Sequence, residues 1–444
     1  KICVSDKNLA VYAYHTSMPE TYCYTYICLS FSIKMEEPSM EVDSVDTVAN
    51  EEPSETIADV EPSVENVEVS EASVYVYPSL FTSKTLLELS NSTWSRSKRA
   101  RGDVQPYLRG CKWSPDGTCC LAVVNNDGVH VTELSRDLYS GNVTTNRIID
   151  VMDSVIHVKE SGLVYDFCWF PGMNSGVPES CCWLTTKQNA PIQMWDAFDG
   201  SLRCSYRGFN SVDEMEPALS VSFTPDGSKI IAGYKKCLRT FDVERPGRDF
   251  GEHKISSSAS CIDTFDNLVA VGSWNTSISL YNVNEMGTYK SGVTQVKFAS
   301  DGLRLISGAR KDHRLLVWDI RYYRRPLNVL TRRVDTNQRI QFDVSPCGKY
   351  LVTGGTDGII KVWDEDQFPL HRDSCNSVSI HPLRPIIATG SGQHHVIDPI
   401  TEGNDESSCD KEQTEKTNEA DMKYSEVTEN CLVFWWIGEV PDLT

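Results

Sequence analysis

Arg109, Lys187, Lys235, Lys236, Arg310, Lys311 and Arg339 supply fixed positive charge, Tyr234 and Trp274 supply planar faces, and Asn337 and Gln338 supply paired donors and acceptors. These are the groups that single-stranded nucleic acid calls for: cations for phosphate, rings on which bases stack, and amides for base edges. Taken singly, each is also an ordinary residue of a solvated loop. Their weight depends on whether the chain gathers them on one side.

The gathering device is a repeat, written most plainly over residues 293–364. Val293-Thr-Gln-Val-Lys-Phe298, Asp301-Gly302, Leu305-Ile-Ser-Gly308 and Leu316-Val-Trp-Asp319 are followed by Ile340-Gln-Phe-Asp-Val344, Pro346-Cys-Gly348, Leu351-Val-Thr-Gly354 and Lys361-Val-Trp-Asp364. Short β-branched runs broken by Gly- or Asp-bearing turns describe antiparallel meanders. Units of about 40–45 residues ending in Trp-Asp are propeller blades, each covering its neighbour's open face. Related endings at Trp195-Asp196, Phe241-Asp242 and Tyr281-Asn282 make the endings advance by 46, 40, 37 and 45 residues. An opening copy at Gly110-Cys-Lys-Trp-Ser-Pro-Asp-Gly117 and a closing one from Val378, ending at Leu432-Val-Phe-Trp-Trp436, bring the count to seven. The predicted fold is all-β, a seven-bladed WD-repeat propeller with blades beginning near 108, 163, 218, 259, 292, 338 and 376. Pro-Asp-Gly at 115–117 and 225–227 predicts turns with φ > 0 at the glycine.

In such a ring, the loops entering each blade share a rim with the loops between its second and third strands. Lys187, Tyr234, Lys235, Lys236, Trp274, Arg310 and Lys311, with Asn275, His313 and Arg314, fall in second-to-third loops. Arg109, Asn337, Gln338 and Arg339 fall in entry loops. Arg310 and Arg339 are expected to present two guanidinium forks within one groove, while Asp312 is expected to pair within a neighbouring turn.

The net charge of −20 resides in two segments. Residues 35–83 hold 13 acidic residues and no Lys or Arg, and residues 401–430 hold 10 acidic residues and 3 Lys. The ring itself is close to neutral, so the acidic balance does not argue against an anionic ligand. The domain reading is an upstream, unstructured extension at 1–34, ahead of Met35; an acidic disordered tail at 35–83; and a propeller over 84–440. A mobile acidic insertion at 401–428 interrupts the last blade. Leu86–Leu89 or a nearby run is expected to supply that blade's outer strand. Arg96-Ser-Lys-Arg-Ala-Arg101 is the densest basic run, fitting a solvated linker, a nuclear-import signal or a phosphate contact. The 16 cysteines lack paired metal spacing and read as buried apolar groups in a reducing compartment. No stretch reaches the ~18 apolar residues of a membrane helix.

Several motifs exceed what a generic propeller repeat requires: Leu108-Arg-Gly-Cys-Lys-Trp-Ser-Pro-Asp-Gly117, Val164-Tyr-Asp-Phe-Cys-Trp169, Pro191-Ile-Gln-Met-Trp-Asp-Ala-Phe198, Arg245-Pro-Gly-Arg-Asp249, Ser307-Gly-Ala-Arg-Lys-Asp312 and Thr336-Asn-Gln-Arg-Ile340. Through them the chain, over about residues 107–400, resembles the WD-repeat telomerase Cajal body protein family. The resemblance implies a non-catalytic protein that binds a short loop motif in box H/ACA-type guide RNAs, including telomerase RNA. It also implies assembly with telomerase ribonucleoprotein proteins, delivery to nuclear Cajal bodies, and folding assistance from the cytosolic chaperonin. A monomeric ring with no cofactor and no membrane partner completes this reading.

A general WD-repeat interaction scaffold or adaptor, using the same rim for acidic peptides, is the alternative. An enzyme has little support, since no nucleophile motif, phosphate-cradling glycine loop or spaced carboxylate pair is present. His394-His395 lacks a third ligand placed near it, so no metal is expected there.

Overall fold

The computed structural model describes residues 77–439 apart from 96, 100–101, 142, 145, 161, 276, 283–284, 289–292, 364–365 and 396–428. The extension expected at 1–34, the tail up to 76 and the acidic insertion at 401–428 therefore lie outside the described residues. The chain forms seven β-sheets arranged as blades. Their first strands are Leu108–Trp113, Val164–Trp169, Ser220–Phe223, Ala259–Phe265, Val293–Phe298, Phe342–Val344 and Cys375–Ile380. Blades 2 to 6 are four-stranded antiparallel sheets built from consecutive strands, and blade 1 is a four-stranded antiparallel sheet interrupted between its third and fourth strands.

The turns behave as their residues dictate. Gly117, Gly227, Gly302 and Gly348, each closing a first-to-second strand turn, have φ of 74, 72, 63 and 69°, which glycine adopts without a Cβ penalty. The Trp endings also have a physical role. Trp195 Nε1 donates to Thr185 Oγ1 at 2.9 Å, Trp318 Nε1 to Ser307 Oγ at 2.9 Å and Trp435 Nε1 to Thr389 Oγ1 at 2.8 Å. Each third strand is thus pinned to the second by a bond that leaves the indole body packed on apolar neighbours.

Blade 7 is closed by the N-terminal side of the ring. Strand Leu87–Thr93 pairs antiparallel with Cys431–Trp436, from Leu87 opposite Trp436 to Thr93 opposite Cys431. Leu89, fully buried, packs in one cluster with Leu108, Phe434 and Ile386, so the seam joins both ends of the ring through a common core. Two features escape the repeat pattern. The connection between the third and fourth strands of blade 1 carries a short helix, Arg136–Ser140, and then a two-residue strand, Asp150–Val151, that pairs parallel with Ser90 and Asn91. Residues 77–83, assigned from sequence to the acidic tail, instead pack on blades 6 and 7. Leu80 and Phe81 are buried, and the Phe81 ring stacks on Phe368 at 5.7 Å.

Side chains from the first strands stitch every blade to the next around the axis. Lys112 Nζ donates to Phe167 O at 2.8 Å; Asp166 Oδ2 accepts from Val221 N at 3.1 Å; Thr264 Oγ1 donates to Phe223 O at 2.8 Å. Asp263 Oδ2 accepts from Phe298 N at 2.6 Å; the Gln295 amide bonds both backbone groups of Phe342; Asp343 Oδ2 accepts from Ile380 N at 2.7 Å; Ser379 Oγ accepts from Trp113 N at 3.2 Å. A cavity of about 430 Å³ along this axis is lined by Lys112, Asp166, Asp263, Lys297, Arg339 and Asp343 among others. Buried charges are stable only when paired, and Lys297 and Asp343 form an ion pair here. Burial alone would lower the Lys297 ammonium, but the Asp343 carboxylate beside it raises it above its usual value.

Candidate nucleic-acid interface

Entry loops and second-to-third strand loops do share a rim, because they are hydrogen-bonded to one another blade by blade. Asn125 N donates to Tyr107 O at 2.9 Å, Gln188 N to Leu163 O at 3.1 Å, Trp274 N to Ser258 O at 3.3 Å, Lys311 N to Thr336 O at 3.3 Å and Gly392 N to Ser374 O at 3.0 Å. On this rim Lys235, Lys236, Arg310, Lys311 and Asn337 are exposed, and Trp274 is 48% exposed. The Arg310 guanidinium lies 5.4 Å from the Trp274 ring centre, a cation and a stacking face presented together by neighbouring blades.

Three of the predicted contacts have other employment. Tyr234 is fully buried among blade 2 and 3 residues, its ring 4.2 Å from the Arg239 guanidinium. It offers no face to a base, because the ring is enclosed by that cluster and by the Arg239 side chain. Lys187 is consumed by an ion pair with the buried Glu160. Arg339 crosses the channel: Nη1 donates to Asp166 Oδ1 of blade 2 at 3.0 Å, and Nη2 approaches Ser260 O of blade 4 at 3.5 Å. Burial alone would lower this guanidinium, but Asp166 raises it, so it is a fixed cross-brace. The expected pair of forks is therefore not formed, since Arg310 engages Trp274 while Arg339 engages Asp166. Asp312 pairs within its own turn rather than with a neighbouring one, accepting from Arg314 Nε at 2.9 Å and Nη2 at 3.0 Å, which also occupies Arg314. His395 is held by Asp373, with Nε2 2.7 Å from Oδ2.

At the channel mouth a small cavity of about 60 Å³ is lined by Tyr107, Arg109, Tyr165, Gln338, Arg339 and Asn376 among others. Here Arg109 Nη1 and Gln338 Oε1 are both buried and have no hydrogen-bond partner among the described residues. Burial, with Arg339 beside it, draws the Arg109 guanidinium below its usual value, partly offset by Tyr107 and Tyr165. A buried donor and a buried acceptor left without partners cost about 1–3 kcal/mol each, and a ligand that bonds both recovers that cost. Tyr107 and Tyr165 add two partly exposed rings at the same mouth. Sequence reasoning missed them, although Tyr165 occupies the second position of its first strand as Arg109 does of its own.

The family model for the WD domain, G-beta repeat, matches residues 283–319 and 333–364. The chain is 42% identical over 379 residues to the Telomerase Cajal body protein 1 homolog of Drosophila melanogaster, covering 80% of this chain and 69% of that one. It is 36% identical over 364 residues to Telomerase Cajal body protein 1 of Bos taurus, covering 76% and 66% of the two chains. The same identity and length hold for Telomerase Cajal body protein 1 of Homo sapiens, with 76% and 65% covered. The repeats, the closed ring and the extent of this likeness lead to one assignment: the chain belongs to the telomerase Cajal body protein 1 family of WD-repeat propellers.

Proposed function

We propose that this propeller is a non-catalytic RNA-binding subunit that takes a short unpaired loop of box H/ACA-type guide RNAs, including telomerase RNA, at the rim described above. In this reading it accompanies the ribonucleoprotein to nuclear Cajal bodies. The observation that carries it is the unpartnered pair Arg109 Nη1 and Gln338 Oε1, buried at a mouth flanked by Tyr107 and Tyr165. A nucleobase supplies what such a mouth lacks: a planar ring for the tyrosines, an acceptor for the guanidinium and a donor for the amide. The exposed Lys235, Lys236, Arg310 and Lys311 then serve the phosphates of the flanking nucleotides. The relatives' name, Telomerase Cajal body protein 1, supports the same ribonucleoprotein and the same nuclear address.

Crosslinking the protein to RNA in cells and sequencing the recovered RNA tests this. Guide-type RNAs should be enriched, and Arg109→Ala combined with Gln338→Ala should reduce their recovery by about tenfold or more, the worth of one or two bonds to a charged group. Recovery that is unselective, or unchanged in the double variant, would remove the base-reading mouth. Complexes that survive ribonuclease intact would favour the scaffold reading instead. In a binding titration, Lys311→Ala should weaken RNA uniformly and lower the slope of log affinity against log salt by about one unit.

A further inference from the structure

The axial chamber of about 430 Å³ lies apart from the rim chemistry, and its size is that of a small-molecule site. Three cations, Lys112, Lys297 and Arg339, and three carboxylates, Asp166, Asp263 and Asp343, line it. Four of the six are matched within the protein: Lys297 pairs with Asp343, and Arg339 pairs with Asp166. Lys112 and Asp263 are left over, for neither has an ion-pair partner among the described residues. A charge withdrawn from water without a counter-ion is costly, and here one of each sign remains in a single chamber.

We infer that this chamber binds a free amino acid as a zwitterion, its carboxylate on the Lys112 ammonium and its ammonium on the Asp263 carboxylate. Both groups keep bonding capacity for it. Lys112 Nζ donates to Phe167 O at 2.8 Å and lies 5.1 Å from the centre of that ring, which uses one of its three N–H groups. Asp263 accepts from Phe298 N through Oδ2 at 2.6 Å, and a carboxylate has room for further donors. These two bonds tie each side chain to a neighbouring blade, so the charges are held in place before a ligand arrives.

The surroundings favour a dipolar ligand over an ion of either sign. Burial holds the Asp263 carboxyl above its usual value, outweighing the Phe298 N–H and the more distant Lys297 and Lys112 ammonium groups. A ligand ammonium beside it supplies the missing compensation, and the carboxylate of the same molecule does so for Lys112. A lone anion or a lone cation would leave the other charge unmatched. Val296, Phe342 and Val378 give the chamber an apolar wall for the ligand's carbon chain. Pro115, Pro346 and Pro382, all from first-to-second strand turns, also line it, so it reaches the face opposite the rim. Arg339 lines both this chamber and the small cavity at the RNA mouth, and its bridge to Asp166 separates the two.

The test uses the full chain in calorimetric titrations with each standard amino acid, β-alanine and 4-aminobutyrate. Any that binds is compared with its N-acetyl derivative, which lacks the ammonium, and with its decarboxylated amine, which lacks the carboxylate. At least one amino acid should bind as a single equivalent and raise the thermal midpoint, and neither derivative should bind within tenfold of it. No binding across the set, or a derivative that binds as well as the amino acid itself, would overturn the inference. Lys112→Met and Asp263→Asn keep the size of each side chain and remove its charge. Each should weaken the amino acid by about tenfold or more, the worth of a bond to a charged group. Affinity that survives in both variants would place the ligand elsewhere and refute the site. Should a variant lose its melting transition, the derivative comparison on the unaltered chain still decides, because it needs no substitution.

Discussion

The carboxylate of Asp166 serves three blades at once: from blade 2, its Oδ2 holds Val221 N of blade 3, and its Oδ1 holds the guanidinium that Arg339 sends across from blade 6. Removing it leaves a buried charge without its counter-ion. Asp166→Ala should therefore cost about 3–5 kcal/mol, visible as a lower urea midpoint, and should disturb RNA binding only through the mouth that Arg339 braces. Arg310→Ala should lower RNA affinity and leave the midpoint within about 0.5 kcal/mol of the parent value, as an exposed surface change does. Swapped outcomes for the two variants would mean that brace and contact have been confused. From sequence both arginines read alike, as cations in loops of one rim. The residue types and the side of the ring were legible, because loop order in a repeat dictates the rim. Which cations were spoken for was not, since Glu160 and Asp166 reach Lys187 and Arg339 through pairings that no local pattern encodes.

At the scale of the element, strand Leu87–Thr93 is the clearest case of a local segment whose value is entirely non-local. Its partner strand begins at Cys431, and its one fully buried apolar side chain, Leu89, fills a cluster built from blades 1 and 7. Leu89→Ala should cost about 2–5 kcal/mol, whereas deletion of residues 84–93 should leave the edge of Cys431–Trp436 unpaired and drive the protein into aggregates. Soluble, monodisperse material from that deletion would show that the seam is dispensable. The blade strands were legible because alternation and turn chemistry recur every 40 residues or so. The helix at Arg136–Ser140 and the strand at Asp150–Val151 were not, for elements of five and two residues have no period to detect. Nor was the docking of Leu80 and Phe81, which follow an acidic run whose composition alone predicts no core.

For the molecule as a whole, a propeller is stable only as a closed circle, and closure falls on the contact between blades 7 and 1. Besides the shared outer strand, that contact holds Asn376 Nδ2 donating to Leu108 O at 2.6 Å, and it holds His381. The His381 imidazole is fully buried. Its Nδ1 accepts from Leu383 N at 3.0 Å and Arg384 N at 2.8 Å, and its Nε2–H donates to Gly117 O at 2.9 Å. It also meets the edge of Trp113 at 4.8 Å, and Gly117, at φ +74°, has no Cβ because one would stand 2.4 Å from the ring. A ring that accepts two backbone bonds at one nitrogen is neutral, and burial lowers it from 6.5 to about 4. Between those values the unfolded chain binds a proton that the native ring refuses, so stability rises with pH there and is lost as pH falls from about 6.5 towards 4. The group contributes about 1.4 kcal/mol per pH unit across that window. His381→Asn should lower stability at neutral pH, through the bonds it removes, and flatten the acid limb of the urea midpoint against pH relative to the parent. Parallel limbs for the two proteins would show that the closure between the last and first blades does not depend on keeping this imidazole uncharged.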